Sequence, residues 1–226
     1  MQSDVPVQPD GPLVQELEFL QIQISDTLQL PEPRDRVHVY LFSDEASYRH
    51  YMHLTWPDLP PRRAYFVGTP RELAVYSFNS PQVLEDLRHE FTHGLLHANL
   101  LNVPLWLDEG LAEYFEVRGP LPGGPHNVHL QTLEQAQANN WHPNLFRLEM
   151  ISDFRDLTQR DYAESWAWVH LCLNGNDSLK QTLLEYLAEL QTRRNPRRLL
   201  PSVEAVAPDY SSLLLTHIDQ MEQVRR

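Results

Sequence analysis

Between Leu87 and His97 the chain reads LRHEFTHGLLH, and this stretch constrains the fold more than any other. Upstream, in RVHVYLF, AYFVG and ELAVYSF, the pattern is that of strands. From Pro81 to Leu101 the apolar period becomes 3.6. Ser80 is a good N-cap, and Pro81 suits a first helical position because its missing N–H leaves nothing unsatisfied. The spacing therefore predicts a helix over Pro81–Leu101. On that helix His89 and His93 lie about 40° apart around the axis, on one face, where both imidazoles can reach one ion.

Glu90 falls about 100° from His89 and about 60° from His93, beside the open position of such an ion and not on it. A carboxylate there can take a proton from a metal-activated water. This is the H-E-x-x-H pattern of zinc metalloproteases. Five residues alone are a weak signal against an ordinary charged helix face, and a catalytic zinc needs a third protein ligand. A further histidine ten positions after the first would be one solution, but Asn99 stands there and Leu96 stands where that variant has a glycine. His97 is two turns from His89, about 12 Å along the axis, too far to share one ion with it.

WLDEGLAEYFE supplies a better answer. It belongs to a second predicted helix opened by Pro104, with Glu109 and Glu113 one turn apart on one face. Glu109 can close the coordination sphere. Asp108 competes for that role but points about 100° away. Glu113 either hydrogen-bonds the outer nitrogen of a ligand histidine or is a plain surface acid. Glu116 reads as surface, and His126, His129 and His142 sit singly in loops without a role.

The remaining numbers exclude several classes. A net charge of −13 argues against nucleic acid, which needs clustered Lys and Arg. The basic run Arg193 to Arg198 reads as a solvated loop between helices. The single cysteine, Cys172, allows no disulfide within the chain and no thiol cluster, and in WVHLCL it reads as a small hydrophobe. No run approaches the ~20 apolar residues of a membrane span. MQSDVPVQPDGP lacks the basic start and apolar core of a signal peptide, and the compartment stays open. There is no G-x-S-x-G, no Cys-His motif and no phosphate-cradling glycine loop.

Along the chain, further helices are predicted over Pro12–Leu28, from Ser43 through Met52, and over Leu130–Asn139, Asp161–Leu173, Ser178–Arg193 and Tyr210–Val224. Strands are predicted at Arg36–Phe42, Ala64–Gly68 and Glu72–Phe78. GPLPGGPHNVH reads as a surface loop. A strand-bearing first third followed by helices is α+β.

HEFTH, followed after the residues 94–108 by the glutamate of WLDEGLAEYFE, resembles the gluzincin, or peptidase MA-like, superfamily of zinc metallopeptidases. The W-L-x-E-G segment is similar to that of the zinc aminopeptidases of the superfamily, at slightly shorter spacing. The layout looks closest to small bacterial peptidase MA-like domains, in which a VYLF-type strand precedes the motif and a Y-A-x-S-W-A-x-V helix follows it. This chain has YAESWAWVHLCL from Tyr162. The resemblance implies a zincin-like α+β fold: a flexible segment over 1–10, then one domain over 11–226. Within it a small mixed-sheet lobe (about 11–100) precedes a mainly helical lobe (about 101–226), with the active-site cleft between them. It implies one zinc ion on His89, His93 and Glu109, with Glu90 as general base and acid, and a peptide or protein substrate. It also implies Tyr162 as an oxyanion donor; as a residue, Tyr162 reads equally as a core aromatic beside Trp166 and Trp168. Glu72–Phe78 is expected to be the sheet edge along which a peptide lies. No amine-anchoring G-x-M-E-N is present, so exopeptidase specificity has no support. The competing readings are a zincin-shaped metal-binding scaffold without activity and a metal-free helical protein.

Overall fold

Alternation in VHVYLF, bounded by polar turns, forms the central parallel pair of a small sheet: β2 (Val37–Phe42) runs beside β4 (Leu73–Phe78), with Val39 opposite Val75. The computed structural model describes residues 2–3, 8, 10–119 and 121–225. Most of the segment expected to be flexible over 1–10, and Pro120 of the expected surface loop, lie outside these residues. The protein is mixed α+β, in two compact units, Met1–Asn99 and Leu100–Arg226.

In the first unit the sheet order is β1 (Gln2–Ser3), β2, β4, β3 (Ala64–Gly68). β1 and β2 are parallel, as are β2 and β4, and β3 is antiparallel to β4. This corrects one expectation. Glu72–Phe78 is not an edge, because β4 has a neighbour on both sides and is buried along most of its length. The edges among the described strands are β1 and β3, and β3 is the one beside β4. The β2-to-β4 connection places β3 outside the parallel pair, so the order in space departs from the order in sequence.

Helix α1 (Pro12–Leu28) has the predicted bounds. α2 (Glu45–Thr55) is capped by Asp44, whose side chain accepts from Ser47 N at 2.9 Å. It covers an aromatic cluster of Tyr48, Met52, Tyr65, Tyr76 and Phe78. α3 (Val83–Asn99) begins two residues after Pro81, with Ser80 Oγ accepting from Gln82 N. It packs on β2, β3 and β4 with the face that carries Leu87 and Gly94, and burial of a leucine side chain there contributes about 1.5–3 kcal/mol. Gly94 permits the close approach, since a Cβ there would sit 2.6 Å from Val37 Cγ1. α1 is tied to α3 by the buried Arg88, which pairs with Glu16 at 2.7 Å and donates to Gln23 Oε1 at 3.3 Å. The sheet and α1 thus fix how α3 is rotated, and with it the face that carries the histidines.

The second unit is built on α7 (Gln159–Asn174), which packs against α4 (Leu105–Glu116), α5 (Asn127–Ala138), α6 (Leu145–Glu149), α8 (Asp177–Leu190) and α10 (Tyr210–Arg225). α7 is buried almost all round from Ala163 to Leu173, as expected of a central helix. A capping box of Thr158 and Asp161 starts it. Arg147 ties α6 to it through Asp161 at 2.6 Å and Glu164 at 3.0 Å. α6, the seven-residue α9 (Leu200–Val206), the short 3₁₀ turn Phe154–Asp156 and β1 have too few residues to show a period and are not among the predicted elements. Among the described residues no helix is long and apolar enough to cross a membrane.

Candidate functional site

α3 carries the first half of the candidate site. His89 Nε2 and His93 Nε2 lie 3.2 Å apart, and their rings meet edge to face at 4.9 Å. Two nitrogens bound tetrahedrally to one zinc at the usual 2.0–2.1 Å would be separated by about 3.3 Å. The spacing is compatible with two ligands of one metal ion and equally with a hydrogen bond between the two rings. His93 is 7% exposed and His89 half-buried.

Glu90 lies about 60° around the helix from His93, toward β3. Its Oε2 accepts from the Phe66 backbone N–H of β3 at 2.6 Å. Since that N–H faces Glu90, it does not face β4, and Phe66 opposite Val75 is a non-hydrogen-bonded pair of the ladder. The outer edge of β3 therefore presents the backbone groups of Ala64, Phe66 and Gly68. The Phe66 ring lies 6.2 Å from His93 and 5.1 Å from the exposed His97. One residue of the edge strand thus holds the glutamate by its backbone and flanks the histidine face by its side chain. Nothing in the sequence near Phe66 marks it for this, because the contact spans 24 positions.

α4 carries the acidic residues, and it is described within its own unit. Glu109 is 7% exposed and Asp108 is also buried. An ionised carboxylate taken out of water needs a counter-charge, donors or an ion. The glycine after Glu109 has a steric cause: a Cβ on Gly110 would meet the Ser165 carbonyl oxygen at 2.6 Å, so α4 lies directly against α7. Glu113 Oε2 sits 2.8 Å from His129 Nε2, and Glu116 Oε1 sits 2.8 Å from His126 Nε2.

The structure differs from the expectation at His126 and His129, which belong to α5 and not to a loop, and at Glu116, whose side chain is largely buried. His126 is the N-cap of α5, and His129 is buried in its first turn. The two rings stack at 3.8 Å, and both lie against Trp166 of α7. The signal was present in pairs: E-x-x-E on one helix and H-x-x-H opening the next, each putting two side chains on one face. His126, His129 and Glu113 offer nitrogen and oxygen atoms within 4.8 Å of one another. However, His126 Nδ1 accepts from His129 N at 3.3 Å, which places its ring proton on Nε2, toward Glu116. These pairs are therefore satisfied as hydrogen bonds.

Tyr162 is half-buried on α7, one turn before Trp166, whereas Trp166 and Trp168 are fully buried. Another turn on, His170 Nδ1 meets His217 Nε2 of α10 at 2.7 Å, and its Nε2 donates to the Gly123 carbonyl at 3.0 Å. Gly123 has φ +82°, a conformation that suits glycine. Burial lowers the pKa of both histidines, and His217 falls to about 4. Cys172 is buried, and burial pushes its thiol up to about 12, so it is an inert core residue. The basic run Arg193 to Arg198 is the exposed connection between α8 and α9, where Arg193 and Arg197 both pair with Glu189.

Compared with protein-family models and with curated protein sequences, the chain matches none.

Proposed function

We propose that this protein is a zinc-dependent metallopeptidase of the zincin type. The observation that carries the reading is the His89–His93 pair, with Nε2 atoms 3.2 Å apart, on the same helix as a glutamate held by an edge strand. His89 and His93 would hold the ion, and Glu109 would be the third ligand. The support for Glu109 is the resemblance of WLDEG together with its buried position on α4. When bound, zinc would supply Lewis acidity to the attacking water and to the scissile carbonyl.

The chain's own residues would do the rest. Glu90 takes the proton of the attacking water and later gives it to the leaving amine, the two halves of general base and general acid catalysis. The Phe66 N–H orients that carboxylate. An extended peptide would pair along the outer edge of β3 through the Phe66 carbonyl and the backbone groups of Ala64 and Gly68, which face away from β4, the Phe66 N–H being held by Glu90. The half-exposed Tyr162 hydroxyl would donate to the developing oxyanion, and Glu113 would act through its histidine partner to steady the ligand helix.

The test is Glu90→Gln in the full chain. The reading expects zinc content equal to wild type and hydrolysis of a peptide library abolished. Retained hydrolysis overturns the role of Glu90. If the wild-type chain binds zinc and cleaves nothing, a metal-binding scaffold replaces the peptidase.

A further inference from the structure

A hollow of about 320 Å³ opens beside α3, within the first unit. Phe91 and Leu95 of α3 and Val37 of β2 give it an apolar lining. Phe91 and Leu95 each follow a histidine of the pair by two residues, and so lie about 200° around the helix from His89 and His93. The hollow is therefore separate from the proposed metal face. Its other lining is polar, from Gln21 of α1 and from Asp35 and Arg36 in the turn before β2. Asp35 and Arg36 are exposed, so a molecule in the hollow can reach them. Two opposite charges thus stand at one apolar hollow without pairing. Neither has an ion pair or a side-chain hydrogen bond among the described residues. Arg63, Arg88 and Arg147, by contrast, each hold a carboxylate.

We infer that this hollow binds a free α-amino acid with an apolar side chain. Its ammonium goes to Asp35, its carboxylate to Arg36, and its side chain to Phe91, Leu95 and Val37. A carboxylate alone would draw a cation and a guanidinium alone an anion. The two together, over apolar surface, fit a zwitterion that carries an apolar group. Gln21, whose amide also has no side-chain partner among the described residues, can serve either end. The volume is at the small end for ligand sites, which suits one amino acid and not an extended peptide. In a peptide, moreover, the two terminal charges no longer share one carbon. Exposed charges attract weakly in water, so the affinity is millimolar.

The inference goes beyond the peptidase reading and does not depend on it, because binding is read directly. The experiment is an NMR chemical-shift titration of the full-length Glu90→Gln chain with L-leucine, N-acetyl-L-leucine, L-leucinamide and glycine. The acetyl form lacks the ammonium, the amide lacks the carboxylate, and glycine lacks the side chain. L-leucine should bind about fivefold more tightly than either blocked form and about tenfold more tightly than glycine. Asp35→Asn should weaken L-leucine about fivefold and leave N-acetyl-L-leucine unchanged. Arg36→Gln should weaken L-leucine to a similar degree and leave L-leucinamide unchanged. Both side chains are exposed, so each variant should keep the wild-type Tm. No binding of L-leucine at about 20 mM, or equal binding of L-leucine and glycine, overturns the proposal. So does an L-leucine affinity that both variants leave unchanged, which is the result expected if the amino acid chelates an ion on the histidine face. None of these outcomes bears on hydrolysis, which the wild-type chain reports separately.

Discussion

The Glu90 carboxylate accepts a 2.6 Å hydrogen bond from the backbone N–H of Phe66. The bond links the residue proposed as general base to the free edge of the sheet. Substitution Phe66→Pro removes that donor, and the β3–β4 ladder does not use it. A hydrogen bond to a charged group contributes about 1.5–3 kcal/mol, so kcat should fall about 10- to 100-fold with zinc content unchanged. Steady-state kinetics with parallel metal analysis checks this; an unchanged kcat would show that the bond does not orient the base.

Among the acids of α4, Glu109 should matter most for metal. Glu109→Ala is expected to weaken zinc binding more than about 100-fold, beyond what loss of an outer residue costs. Asp108→Asn should leave it near wild type, and Glu113→Gln should cost about tenfold or less. Competition titration against a chelator orders the three, and an Asp108 effect exceeding that of Glu109 would exchange their roles.

Gly110 is required by packing. Gly110→Ala drives a Cβ into the Ser165 carbonyl, and backbone cannot yield as a flexible side chain can. The expected loss is about 1–3 kcal/mol, seen as a lower urea midpoint at unchanged slope.

Acid stability should depend on His170 and His217. Both have folded pKa values depressed by burial, His217 to about 4, from a usual value near 6.5. Between those values the unfolded chain binds more protons than the folded one, so stability falls as pH drops from about 6.5 toward about 4. Above about 6.5 both states are neutral at these positions and the effect vanishes. Urea titrations at pH 7, 6 and 5 should show the decline, and His217→Phe should flatten it.

How far the site was legible depends on the range of the contacts. Periodicity within one element located α1 to the residue, placed β3, and set His89 and His93 on one face, because the angle per residue is a local property. Sheet order was not local: the parallel pairing of β2 with β4 moved the edge to β3, and no pattern inside either strand encodes that. The same holds for Phe66, whose N–H serves a glutamate on another element, and for His126 and His129, whose partners lie on a preceding helix. Short elements such as α6 and α9 fell below the length at which a period can be counted.

As proposed, the His89–His93 pair serves hydrolysis. The most direct measurement is cleavage of a broad peptide library by the chain as purified, after chelation, and after zinc is restored. Cleavage should disappear with the metal and return with it. A zinc-loaded chain that leaves the whole library intact would contradict it.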